Sequence, residues 1–206
     1  MLRLRRGCAF LAATLGMLIA ALAAGCGAGG GSGATGATVP ADRPVVVTTT
    51  TNFIADTVAA IGGDRVRVRS LMGAGVDPHL YKASAGDVAE LRDADVIFYA
   101  GLQLEGKMAD LLEELGERQT TQAVTADIPR ARLLEPPAGA AEAYDPHVWF
   151  DVRNWMHVAR TIARTLAEKD PAHAAGYRAR LRAYLRTLAA TDRYVRDRIA
   201  EIPPRQ

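Results

Sequence analysis

Val96-Ile97-Phe98-Tyr99-Ala100 is apolar at every position, and its reading decides the fold class. A strand with one face in water alternates apolar and polar residues, whereas a run apolar on both faces suits a parallel strand covered by helices above and below. Strand and helix signals alternate outward from this run. On its amino side Val45-Val46-Val47-Thr48-Thr49 is β-branched throughout, and Ile54, Val58 and Ile61 follow at helical spacing until Gly62-Gly63. Val66 and Val68 alternate with Arg65, Arg67 and Arg69, which predicts a second strand with one exposed face at a sheet edge. Ser84 and Asp87 have the spacing of a capping box ahead of a short helix through Val88 and Leu91. On the carboxyl side, Met108, Leu111, Leu112 and Leu115 make a helix stripe stopped by Gly116, and Gln122 to Thr125 supply a fourth strand.

The resulting β-α-β-α-β-α-β order predicts an α/β lobe over residues 44–170, an open four-stranded parallel sheet flanked by helices with right-handed crossovers. Ligands of such sheets collect beyond the carboxyl ends of the strands. Asp151 is placed to cap a helix whose buried face carries Trp155, Val158, Ile162 and Leu166. Asp170-Pro171 then reads as the cap and first-turn proline of a long helix filling 171–206. Its stripe, Tyr177, Leu181, Tyr184, Leu188, Val195, Ile199 and Ile202, continues for about 30 residues, or ~45 Å at the helical rise. The arginines between Arg178 and Arg198 fall largely off that stripe and read as a solvated face.

A repeated tripeptide carries the chemistry. Asp77-Pro78-His79 and Asp145-Pro146-His147 use two of only four histidines. With proline at ~5% of average composition, two histidines sharing the same two predecessors are unlikely to arise by chance. Proline fixes its own φ and pushes the preceding Asp into an extended conformation, so each His is presented on a stiff loop. We read His79 and His147 as two ligands of one metal site. Each Asp could accept the second ring N–H of its His, selecting the tautomer, or turn back on the backbone as an Asx-turn. His157 and His173 read as structural. Glu105 and Asp151 are candidates for outer acceptors, although helix capping explains Asp151 equally well.

The amino end bears on compartment. Arg3, Arg5 and Arg6 precede an apolar run from Ala9 to Ala24, the pattern of a secretory signal over residues 1–25. That run is short for a membrane span, which usually needs ~20 apolar residues. Leu22-Ala23-Ala24-Gly25-Cys26 resembles the lipobox of bacterial lipoproteins, which implies lipidation at Cys26; simple secretion is the alternative. Residues 26–43 are rich in Gly and Ala and read as a flexible tether. The only other cysteine is Cys8, so the folded region holds no thiol, and zinc ribbons, iron–sulfur clusters, disulfides and cysteine nucleophiles are excluded there. Imidazole, carboxylate and water remain as ligands, which suits Zn²⁺, Mn²⁺ or Fe²⁺. A net charge of +2 gives no case for nucleic acid as a partner.

Three segments carry a family resemblance. Gly75-Val76-Asp77-Pro78-His79-Leu80-Tyr81, Gly101-Leu102-Gln103-Leu104-Glu105-Gly106-Lys107-Met108 and Tyr144-Asp145-Pro146-His147-Val148-Trp149-Phe150-Asp151 resemble the metal-binding receptor lipoproteins of bacterial ABC importers, the solute-binding cluster of the treponemal TroA type. The resemblance runs from about Val45 onward. It implies a binding protein and not an enzyme, carrying Zn²⁺ or Mn²⁺ as cargo to an ABC permease and ATPase. It also implies extracytoplasmic placement on the membrane through a lipid anchor, in a group that includes proteins named as adhesins. Members continue past the segment matching Ile202-Pro203-Pro204 into a second α/β lobe with further ligands, so the expectation is a truncated chain with half a site. Two other classes stay open: a secreted metallohydrolase using the two-His site, and a lipid-anchored adhesin or scaffold with no metal role. Against the hydrolase, no His-Glu-x-x-His helix and no nucleophile elbow occur.

Overall fold

The computed structural model describes residues 37–136, 138–139 and 143–203. The signal segment, Cys26 and most of the tether lie outside the described residues. Four strands, β1 (Val45–Thr51), β2 (Val66–Met72), β3 (Val96–Tyr99) and β4 (Thr120–Ala123), form one sheet in the order β2-β1-β3-β4. Every neighbouring pair is parallel. The helices are α1 (Asn52–Gly62), α2 (Ala85–Arg92), α3 (Ala109–Gly116), α4 (Val152–Lys169) and α5 (Ala174–Ala200).

The apolar run of β3 does what its composition requires. Val96 and Phe98 face a core shared with Ile54, Val58, Val158, Ile162, Leu166 and Tyr177, while Ile97 faces a second core with Leu91, Met108, Leu112 and Leu115. Helices α1, α4 and α5 therefore supply one cover and α2 and α3 the other. Each fully buried aliphatic side chain contributes about 1.5–3 kcal/mol. At the edge, β2 buries Met72 and leaves Arg67 and Arg69 exposed, the predicted one-sided strand. The fourth strand begins two residues ahead of the predicted Gln122, because Thr120 and Thr121 pair with Val96 and Ile97. A half-exposed edge strand has no apolar run to announce it.

Helix ends follow local chemistry. Ser84 Oγ accepts from the Asp87 N–H at 3.2 Å and Asp87 Oδ2 accepts from the Ser84 N–H at 2.7 Å, so the capping box forms. Asp87 also accepts from the Tyr81 hydroxyl. Gly62 is required where α1 meets β2, since a Cβ there would lie 2.2 Å from a methyl of Val66. Arg180 donates to the carbonyls of Ile61 and Gly62, so this arginine of α5 caps α1 instead of facing water.

Two expectations need correction. Asp170 does not cap a backbone N–H: a 3₁₀ turn over Pro171–His173 precedes α5. Its fully buried carboxylate instead accepts from the Tyr177 hydroxyl at 2.7 Å and His173 Nδ1 at 2.8 Å, with Arg65 3.6 Å away. The ordered fold also starts ahead of Pro44, because Val39 is buried and its N–H donates to the Lys169 carbonyl. Along the α5 stripe, packing against the core reaches Leu188, while Ile199 is 60% exposed and Ile202, just past the helix, 67%. No described helix is long and apolar enough to cross a membrane.

Candidate metal centre

Strands β2 and β4 are the two edges of the sheet, yet the loops that follow them meet. His79 lies in the loop between β2 and α2, and His147 directly precedes the 3₁₀ turn Val148–Phe150 that leads into α4. Their Nε2 atoms are 3.3 Å apart. Two nitrogens each ~2.0–2.1 Å from one tetrahedral ion would stand about 3.3–3.4 Å apart. The paired rings thus have the separation that a shared cation demands.

Both tripeptides form the same Asx-turn. Asp77 Oδ1 accepts from the His79 N–H, and Asp145 Oδ1 from the His147 N–H, each at 2.9 Å. Only Asp145 also reaches the ring, with Oδ1 2.7 Å from His147 Nδ1. The backbone N–H of His147, aided by its ring, holds the Asp145 carboxyl below the usual carboxylate range. An ionised Asp145 carboxylate can only accept, so Nδ1–H donates to it and that ring tautomer carries its lone pair on Nε2, toward His79. The Asp145 N–H donates to the Leu134 carbonyl, which ties this loop to the segment after β4.

Aromatic rings support His147 as well. Trp149 meets it edge to face, centroids 5.2 Å apart and planes at 70°. Phe53, in the first turn of α1, packs against Trp149 at 4.7 Å and Trp155 at 5.8 Å. These contacts had no periodic signal in the sequence; the hint was an indole two residues beyond a candidate ligand in a chain with only 6% aromatics.

The other candidates lie elsewhere. Glu105 is 3% exposed and accepts from the Thr50 hydroxyl at 2.6 Å and the N–H groups of Ala100 and Gly101 at 2.7 and 3.2 Å. It ties the end of β1 to the end of β3 and bonds neither imidazole, while burial raises its pKa. Asp151 caps α4 through the Arg153 N–H and pairs with Arg132 at 3.0 Å. His173 bonds Asp170, and His157 lies along α4 with its pKa lowered chiefly by burial. Among the described residues, no third His, Cys, Asp or Glu joins the pair to make a group of three.

Comparison with known proteins agrees with this architecture. The model of the family described as ZnuA, zinc-uptake complex component A periplasmic, matches residues 47–206. The manganese-binding lipoprotein MntA of Bacillus subtilis (strain 168) is 45% identical over 163 residues, covering 79% of this chain and 53% of the relative. The solved periplasmic zinc-binding protein TroA of Treponema pallidum superposes with a TM-score of 0.74 at 39% identity, over 78% of this chain and 57% of that one. A Mn-bound periplasmic metal-binding protein from Candidatus Liberibacter asiaticus gives a TM-score of 0.68 at 26% identity, over 78% and 59%. This chain spans about half the length of the curated relatives it matches. A parallel lobe of this topology and a family match over most of its length together place the chain in the ZnuA family of zinc-uptake components.

Proposed function

We propose that this protein captures a divalent transition-metal ion, Zn²⁺ or Mn²⁺, with His79 and His147 as ligands, and delivers it as cargo to an ABC importer. The observation that carries the reading is the 3.3 Å separation of two Nε2 atoms brought together from opposite edges of the sheet. The ring bond to Asp145 supports it, since a ligating His needs its other nitrogen anchored. The names of the relatives support the choice of ion: one is called manganese-binding and another zinc-binding.

The same reading extends to location and partners. A signal segment over 1–25, lipid on Cys26 and a tether ahead of the lobe would hold the protein outside the cytoplasm, beside the permease and ATPase that receive the ion. Several relatives are named as lipoproteins, which favours this placement. Capture and release need no turnover, so the protein acts as a binder and not an enzyme.

The test is isothermal titration of the full chain with Zn²⁺ and with Mn²⁺. One ion per chain, lost in both His79→Ala and His147→Ala, is the expected result. Binding that survives the double substitution would put the cation elsewhere and overturn the reading.

A further inference from the structure

The ring of His147 is held from two sides, by Asp145 at Nδ1 and by the indole of Trp149. Behind Trp149 the contacts continue through Phe53 to Trp155, whose indole N–H donates to Thr57 Oγ1 at 3.1 Å. Thr57 Oγ1 is in turn 3.2 Å from the Tyr184 hydroxyl on α5. One continuous set of contacts therefore joins the His147 loop to α1, α4 and α5. Trp155 is buried and Tyr184 half-buried, so the inner end of the set is fixed by the core. The outer end, the His147 ring, is 41% exposed and gains its orientation from what touches it.

We propose that Trp149 is a positioning residue for metal capture: its indole fixes the plane of the His147 imidazole, and Phe53 fixes the indole. An aromatic ring aimed by one hydrogen bond can still swing about the axis of that bond. An edge-to-face neighbour 5.2 Å away removes this freedom, leaving Nε2 turned toward His79 before any ion arrives. His79 has neither a carboxylate on its second nitrogen nor a described indole beside it, so it is the ring that adjusts. Capture then has one preset ligand and one that closes. The inference rests on the metal reading above.

The experiment uses the full chain with Trp149→Leu, Trp149→Phe, Phe53→Leu and the double variant Trp149→Leu/Phe53→Leu. Two readouts are taken: Zn²⁺ affinity, and the proton NMR shifts of both imidazoles without metal. Trp149→Leu should weaken Zn²⁺ binding about 2- to 12-fold, the span of one aromatic pair, with Trp149→Phe restoring most of it. Phe53→Leu should lose less, and the double variant should match Trp149→Leu alone because Phe53 acts through the indole. Without metal, Trp149→Leu should move the ring protons of His147 and leave those of His79 in place. Wild-type affinity in Trp149→Leu, or losses that simply add, would overturn the proposal. Should Trp149→Leu fail to fold, Phe53→Leu reads the same link from behind. If the wild-type chain binds no Zn²⁺, the metal reading falls, while the NMR shifts still decide whether the indole orients the imidazole.

Discussion

The two Asp-Pro-His loops share a tripeptide and a turn but not a level of support. At residues 145–147 the carboxylate binds both the backbone N–H and the ring of its own His, the proline is buried, and an indole closes one side. At residues 77–79 the carboxylate binds only the backbone N–H. The lesson is that a repeated motif repeats backbone geometry, because proline and the Asx-turn are local, but does not repeat what surrounds the ring. The second loop leads directly into the α4 cap and inherits the rigidity of that helix; the first is followed by α2 only after several exposed residues.

The harshest way to break the comparison is to remove each imidazole. His79→Ala and His147→Ala should each cost more than the about 10- to 100-fold that losing an outer partner costs, measured by Zn²⁺ titration. Near-equal losses would mean that both rings ligate, whatever their support. A large loss at His147 with none at His79 would leave a one-histidine site and dissolve the pairing.

A third Asp–His contact sharpens what the carboxylate does at the site. Asp170 binds His173 Nδ1 at 2.8 Å, much as Asp145 binds His147, but it is fully buried and also takes the Tyr177 hydroxyl. Asp170→Asn should destabilise the fold by about 2 kcal/mol, since a buried donor is left facing an amide. Zn²⁺ affinity at saturating fold should stay unchanged. The acid dependence follows the same contact. Burial alone would raise the Asp170 carboxyl, but hydrogen bonds from His173 and Tyr177, with the Arg65 charge, outweigh it and hold the pKa below the usual value. A depressed carboxyl stabilises the fold above its unfolded pKa of about 3.9, and that stability is lost as pH falls through the folded value. Wild type should therefore lose more melting temperature between pH 7 and pH 3 than Asp170→Asn does. Parallel acid curves for the two proteins would show that the contact is not a joint of the fold.

Asp145→Asn against Asp77→Asn tests the asymmetry itself. Asn can still accept the backbone N–H in both turns, but at 145 it offers the ring a weaker acceptor and loses the charge that favours the Nδ1–H tautomer. Zn²⁺ affinity should fall about 10-fold for Asp145→Asn and within about 3-fold for Asp77→Asn. Equal losses would mean that the ring contact at 145 adds nothing beyond the turn.

How much of this was legible from residues alone divides along the same line. The central run Val96–Ala100 foretold a strand covered on both faces, and Ser84 with Asp87 foretold a capping box, because each depends on neighbours a few residues away. The paired histidines were legible through repetition. What could not be read was which Asp would reach its ring, since the two loops share the tripeptide and its turn and differ in their flanking residues and in the contacts each loop makes, such as the Asp145 N–H bond to the Leu134 carbonyl. Thr120 and Thr121 escaped because an edge strand needs no apolar residues, and Asp170 resembled a helix cap because Asp-Pro fits a cap whichever way the carboxylate turns, while its bonds to His173 and Tyr177 arise only once the carboxylate is buried, with Arg65 brought near from far off in the chain. Glu105 stood in a motif beside Gly101, yet its role as a buried clasp between β1 and β3 depended on Thr50, 55 residues earlier.

The smallest expected effects come from the prolines, and they should cross. Pro146 is buried, so Pro146→Ala places a new N–H where water does not reach, besides loosening the unfolded chain; a loss of about 1 kcal/mol in stability is expected. Pro78 is partly exposed, water can satisfy the new N–H there, and about 0.5 kcal/mol is expected from chain entropy alone. Metal affinity should run the other way. His147 keeps its aim through Asp145 even when the backbone relaxes, whereas His79 depends on proline and the Asx-turn for its direction. Pro78→Ala should weaken Zn²⁺ binding about 2- to 5-fold and Pro146→Ala less than about 2-fold. Thermal melts without metal and titrations with it, done on the same two variants, separate the two readings. If affinity instead fell more at 146, the backbone and not the carboxylate would be aiming His147, and the difference between the loops would reduce to the burial of one proline.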